Sequence, residues 1–180
     1  MANNIARFYI EFVRGVPMLV LLVTFAIVIV PDVIDAAGID RRFFDLTHRA
    51  IIGLGTVYGA FLAEVFRAGI QSIPYGQTEA ARSLGMSRRQ ALNHIVLPQA
   101  IRNILPALGN DFIALLKDSS LVSILAVREL TQMAKLYSGS SFRFRETYLV
   151  LVFFYLTMTV VLSLVVQWYG RRIGTASEAR

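Results

Sequence analysis

From Thr147 to Tyr169 the chain runs for 23 residues without a charge. As a helix rising about 1.5 Å per residue, such a run reaches roughly 34 Å, enough to cross a hydrocarbon core about 30 Å thick. Its ends agree with that use. Tyr148 opens the run, and Trp168 with Tyr169 closes it just before Arg171 and Arg172, an aromatic belt followed by cationic anchors. The composition extends the argument to the whole chain: 56% of its 180 residues are hydrophobic and 17% are charged, against about 45–50% and about 25% in ordinary globular proteins. A soluble domain and a disordered chain are both disfavoured. The net charge of +6 is spread as arginines between apolar runs, which suits loops flanking membrane spans better than a nucleic-acid groove.

Further spans follow from the same reasoning. Gly15 to Pro31 is an uncharged run of 17 residues preceded by Arg7 and Arg14, at the short limit for a crossing helix. A signal peptide would start similarly, but its apolar core is shorter and Asp35-Ala36-Ala37 is a poor cleavage site, so an uncleaved span over 16–32 is expected. A third span is expected over 46–70. There Gly55, Gly59 and Ala63 recur every four residues, a pattern that lets helix backbones approach closely in lipid, or that reflects only the general abundance of glycine in membrane helices. Glu64 and Arg67, three apart on that helix, can pair.

The fourth region, 98–127, is interrupted by Arg102, Asp111, Lys117 and Asp118. A charge near the bilayer centre costs about 2.5–3.5 kcal/mol, so this helix cannot face lipid all round. Asn103, Asn110 and Lys117 are seven apart, and Asp111 with Asp118 repeats the step on the adjacent row. One face therefore points into a bundle or an aqueous path, with a kink allowed at Pro106 and Gly109; the alternative is a surface helix of an unusually apolar soluble protein. The expected architecture is an all-α, polytopic membrane helix bundle with about four spans.

Between the third and fourth spans, residues 71–97 form the most polar stretch. Pro74 and Gly76 suggest a turn, Gln77 to Leu84 a short helix, and Gly85 its left-handed stop. Ser87 with Gln90 three residues on reads as a capping box opening a second helix, which Val96-Leu97-Pro98 should end. Arg82, Arg88 and Arg89 mark this loop as cytoplasmic. Alternation then puts ten arginines inside against six arginines and one lysine outside.

Several chemistries are missing. The two lysines, Lys117 and Lys135, follow Leu116 and Ala134, so no P-loop for ATP is possible. Gly53, Gly55 and Gly59 lack dinucleotide-site spacing. His48 and His94 are 46 residues apart and there is no cysteine, which leaves no metal-ligand spacing, thiol nucleophile or disulfide. No catalytic residue, metal site or bound cofactor is expected, and the chain is not expected to be an enzyme.

The loop reads Glu79-Ala80-Ala81-Arg82-Ser83-Leu84-Gly85-Met86-Ser87, followed by Ile95-Val96-Leu97-Pro98. This resembles the EAA signature of bacterial ABC importer permeases. Phe12-Val13-Arg14-Gly15-Val16-Pro17, Ala63-Glu64-Val65-Phe66-Arg67-Ala68-Gly69-Ile70, Leu108-Gly109-Asn110-Asp111-Phe112 and Leu115-Leu116-Lys117-Asp118-Ser119-Ser120-Leu121 resemble the polar amino-acid subfamily, over roughly residues 6–172. The resemblance implies a type I ABC importer-like permease in the bacterial cytoplasmic (inner) membrane. Its implied partners are a second permease subunit, identical or paralogous, a cytoplasmic ATPase dimer that binds the ATP, and an extracytoplasmic amino-acid-binding protein, with lipid around it and no nucleic acid. It implies coupling to the ATPase through Glu79, Ala80, Ala81 and Gly85. In such permeases another span normally precedes the Arg14-Gly15-Val16-Pro17 stretch, and this sequence does not show it. Charge of both signs on one helix makes Lys117, Asp111 and Asp118, with Asn110 and Ser119 and more weakly Glu64, candidates for a zwitterionic substrate's path. Those charges could instead neutralise one another or pair across a dimer seam. A truncated, non-transporting scaffold that binds a partner is the alternative function.

Overall fold

The computed structural model describes residues 2–173, and their side chains from 4 to 170. The side chains of Arg171 and Arg172, expected as anchors, lie outside the described residues. Within them the structure is helical without strands. Helix α1 is Ala2–Gly15 and α2 is Met18–Ala36. A 3₁₀ turn at Arg41–Phe43 leads into α3, Leu46–Gln71. The polar stretch holds α4, Tyr75–Ser83, and α5, Arg88–Ala91. Helix α6, Leu97–Asp118, passes into a 3₁₀ segment at Ser119–Leu125, and α7, Leu130–Ser141, precedes α8, Phe144–Ile173. The helices Met18–Ala36, Leu46–Gln71 and Phe144–Gly170 are long and apolar enough to cross a membrane.

Prolines shape the helix boundaries. Pro17 and Pro74 stand at the starts of α2 and α4, where a missing N–H is no loss. Pro31 and Pro98 each follow, two residues on, a wide π turn at Phe25–Ile29 or Leu92–Val96. In these turns Val30 N–H donates to the Phe25 carbonyl and Leu97 N–H to that of Leu92. A proline ring collides with the carbonyl four residues back, and widening the preceding turn relieves that collision without stopping the helix. The expected helix end at Val96-Leu97-Pro98 is thus corrected: the chain stays helical from α5 into α6. Gln99 adds a side-chain donor to the Ile95 carbonyl at 2.8 Å.

Two compact units form among the described residues, one from 2–61 with 114–160, the other from 62–113 with 161–173. In the first, Leu22 and Ala26 pack with Ala50, Val122, Leu125 and Val127, while Val13 and Leu21 pack with Val57 and Ala60. Tyr9 ties α1 to α3, its hydroxyl donating to the Thr56 carbonyl. In the second unit, α6 meets its neighbours at glycines. A Cβ on Gly69 would lie 2.0 Å from Ile104 Cγ1, and one on Gly109 2.2 Å from Val166 Cγ1.

The row Gly55, Gly59 and Ala63 does not serve this way within the described chain. Gly55 has no atom within 4 Å of a would-be Cβ, and Gly59 has only the Tyr9 hydroxyl at 3.4 Å. The buried row of α3 runs instead through Ala50, Gly53, Val57 and Ala60, spaced three and four apart as one helical face requires.

Candidate functional site: a capped helical loop and a polar helix face

The loop after α3 is built from local signals. Helix α4 ends in a Schellman turn: Met86 N–H reaches the Ala81 carbonyl at 3.2 Å and Gly85 N–H the Arg82 carbonyl at 3.0 Å. That turn requires the left-handed backbone of Gly85, φ +83°. Immediately after it, Ser87 Oγ accepts from Gln90 N–H at 3.3 Å while Ser87 N–H donates to Gln90 Oε1 at 2.8 Å, the reciprocal capping box read from the sequence. Helix α4 packs against α5 and the π turn, with Ala81 and Ala91 buried.

The EAA residues divide between two faces. Ala81 is buried and turns inward, whereas Glu79 and Ala80 are exposed. Leu84 beside them is 84% exposed, a large apolar side chain left on the surface at the tip of a rigid turn. Glu79, Arg82, Thr78 and Tyr75 border an open groove of about 1280 Å³ that reaches Arg88 and Val96. A short helix clamped at one end by a glycine turn and followed at once by a capped helix can transmit a push with little internal bending.

The six polar-path candidates fall in both units. In the first unit, Tyr58, itself 7% exposed, donates its hydroxyl to Asp118 Oδ2 at 2.7 Å. Ser119 Oγ donates to the Leu116 carbonyl at 2.7 Å. Lys117 is exposed and, among the described residues, in no ion pair. In the second unit, Asn110 is exposed and Asp111 Oδ2 is buried without a hydrogen-bond partner. Glu64 is committed to Arg67, whose Nε lies 2.8 Å from Oε2, and Arg67 also donates to Gln71. The pairing expected for Glu64 and Arg67 is present, and it is bidentate.

Other polar groups were not apparent from the sequence. Tyr58 lies 60 positions from Asp118, a separation that leaves no local trace. Glu129 caps α7 by accepting from Gln132 N–H at 2.6 Å and Thr131 N–H at 2.8 Å, and it also accepts from Tyr155 Oη at 3.1 Å. Lys135 Nζ donates to Ser123 Oγ, a buried hydroxyl, at 3.0 Å. Its acid-before-helix position could have revealed Glu129; nothing local reveals Lys135. Among the described residues, no three His, Asp or Glu side chains gather as a metal site would need.

Comparison with known proteins bears on the same residues. Residues 1–175 match the family described as "Binding-protein-dependent transport system inner membrane component". The chain is 39% identical over 174 residues to the probable amino-acid permease protein YxeN of Bacillus subtilis (strain 168), covering 94% of this chain and 73% of that one. It is 35% identical over 172 residues to the glutamine transport system permease protein GlnP of Escherichia coli (strain K12), covering 96% and 76%. A solved structure, "Crystal structure of an amino acid ABC transporter with histidines", superposes with a TM-score of 0.77 at 37% identity, covering 94% of this chain and 75% of that one. The family match takes in the EAA loop, the polar face of α6 and the apolar helices alike, and the chain belongs to the inner-membrane permease components of binding-protein-dependent transport systems.

Proposed function

We propose that this chain is the permease subunit of an ATP-driven importer of polar amino acids in the bacterial inner membrane. The single observation that carries the reading is the rigid loop from α4 to α5, which bears Glu79-Ala80-Ala81 and the Gly85 turn. In this proposal it is the cytoplasmic element that docks on an ATPase, with exposed Glu79, Ala80 and Leu84 as the contact and buried Ala81 holding α4 in place. The chain crosses the membrane over 16–32, 46–70, 98–127 and 147–169, beside a second permease subunit. An external binding protein delivers the substrate. Closure of two ATPase subunits moves the loops, and the spans rock so that a central path opens first to one side and then to the other.

Substrate recognition falls to the polar face of α6. An amino acid's ammonium and carboxylate need partners of both signs away from water. Asp111, with an unpartnered oxygen, and Lys117, in no ion pair among the described residues, supply them, with Asn110 and Ser119 as neutral neighbours. Asp118, held by Tyr58, and Glu64, held by Arg67, are the weaker candidates. Similarity along nearly the whole chain to transport permeases does not favour a non-transporting scaffold.

The native chain has no cysteine, so a single Glu79→Cys can be paired with one cysteine in the groove of the candidate ATPase. A disulfide that forms in membranes and responds to ATP is the expected result. Its absence in a folded, inserted chain would remove the coupling role. Lys117→Ala should raise the substrate concentration needed for half-maximal transport while leaving the complex assembled; loss of the complex itself would make the lysine structural.

A further inference from the structure

We propose that the groove formed by the 3₁₀ turn at Arg41–Phe43, the first turn of α3 and the segment 126–128 binds the phosphate of an anionic phospholipid headgroup. The groove has a volume of about 590 Å³ and is lined by Arg41, Arg42, Arg49 and Arg128, with Asp45 as its one carboxylate. Four guanidinium groups line it, and with Asp35 paired to Arg41 and Asp40 capping Arg42 beside Asp45, the local excess is one positive charge.

The arginines are not equivalent. Arg41 is engaged by Asp35 through a two-pronged pair, with Nε 2.7 Å from Oδ1. Arg49 Nε donates to the Phe44 carbonyl at 2.8 Å. Asp45 is engaged as well: Oδ1 accepts from His48 N–H at 2.9 Å and lies 2.7 Å from His48 Nδ1. Arg42 and Arg128 are exposed and, among the described residues, in no ion pair. Two guanidinium forks therefore stand open beside a groove whose other charges are already partnered. A tetrahedral phosphate matches such forks bidentately, which a point cation would not achieve.

The surroundings identify the source of that phosphate. The loop 37–45 joins the apolar helices Met18–Ala36 and Leu46–Gln71 directly, so the arginines lie within a few residues of the hydrocarbon boundary. Beside them Phe43 is 73%, Ile39 44% and Leu46 42% exposed. Apolar and aromatic side chains standing out among arginines at the end of membrane helices mark the headgroup level. Acyl chains cover the apolar groups while the headgroup meets Arg42 and Arg128; a free anion would leave Phe43 in water. Arg42 and Arg128, in no ion pair among the described residues, favour an anionic lipid over a zwitterionic one, whose own ammonium already partners its phosphate. This inference needs only that the chain sits in a membrane, and it is independent of transport and of which side the loop faces.

The test is native mass spectrometry of the full chain released from nanodiscs of phosphatidylcholine mixed with phosphatidylglycerol. The wild type should retain phosphatidylglycerol in preference, and Arg42→Gln with Arg128→Gln should retain about tenfold less. Arg42→Lys with Arg128→Lys should lie between them, because charge survives and the fork does not; if the glutamine pair fails to fold, this variant carries the test alone. Equal retention by the wild type and the variants would overturn the proposal. So would retention of inorganic phosphate without enrichment of phosphatidylglycerol, which would make it a soluble-anion site. Unchanged lipid retention with weakened binding of an external binding protein would overturn it in favour of a protein-docking surface.

Discussion

Helices α6 and α8 are both rich in leucine, yet they carry opposite information. In α8 most large apolar side chains stand exposed, Leu149, Val152, Phe153 and Leu164 among them, while a strip through Leu151, Tyr155 and Val166 is at least partly covered; so much bare apolar surface without a charge suits lipid or another apolar helix as its surroundings. Helix α6 carries Arg102, Asp111, Lys117 and Asp118 together with Pro106 and Gly109, and it is not among the helices that are long and apolar enough to cross on composition alone. It needs protein or water on its polar side. The difference teaches that hydropathy identifies helices that need no polar partner, whereas the helix carrying the chemistry shows itself by the charges it retains.

The largest test of this contrast places a charge in each helix. Leu156, 60% exposed in α8, should as Leu156→Arg cost insertion about 2.5–3.5 kcal/mol. Asn110→Arg, on the polar row of α6, should cost far less in the same membrane-insertion assay. Equal penalties would break the contrast.

The two helices also meet, at Gly109, where a Cβ would come within 2.2 Å of Val166 Cγ1. Gly109→Ala is expected to lower stability by about 1–3 kcal/mol through overpacking, read as a fall in thermal midpoint in lipid nanodiscs. Val166→Ala in the same chain should restore most of it. Failure of that rescue would mean that glycine serves helix bending at this position and not close approach.

A smaller effect is expected in the loop that joins α3 to α6. Gly85→Ala forces a Cβ onto a φ of +83° and should destabilise the α4 cap by about 1 kcal/mol, seen as faster hydrogen exchange in α4. Gly76→Ala, in the first turn of α4 with open space around it, should be neutral or stabilising. If the two alanines behaved alike, the turn would not be what makes this loop rigid.

How much could be read beforehand follows the range of each interaction. The stop at Gly85 and the box at Ser87 and Gln90 depend on neighbours within a few residues, and both stand as expected. The charge-free run of α8 needs no partner to be recognised as a helix. The end of α6 was not legible: the α-helix gives way to a 3₁₀ segment at Ser119–Leu125, where Val122 and Leu125 are drawn into a core with Leu22 and Ala50. Nor was the continuation through Pro98, because a proline biases the residue before it away from the helix, and only the wide turn at Leu92–Val96, which makes room for the ring, lets the helix go on. Helix α1 was missed for another reason. Its pattern was in fact local: Arg7, Glu11 and Arg14 recur four and three apart on one side, and Ile5, Tyr9 and Val13 recur every four residues on another, with Val13 buried. In the site, the loop was more legible than the α6 face, since Tyr58 reaches Asp118 from a distant helix.

The smallest expected effect concerns a carboxylate placed at a helix start, outside the apolar segments, where charge is tolerated for a third reason. Asp45 accepts from His48 N–H at 2.9 Å and so caps the first turn of α3. That backbone hydrogen bond, and then the bond to the His48 ring, hold its carboxyl below the usual carboxylate range. With the folded value depressed, the contribution of Asp45 is present above the unfolded value of about 3.9 and is lost as pH falls through the folded one. The protection factor of the His48 amide should therefore stay flat from neutral pH down to about 4 and drop only below it. Asp45→Asn, which keeps an acceptor but cannot titrate, should show no such drop. A parallel drop in both proteins would remove the carboxylate as the cause and leave the charge at this helix end incidental to the cap.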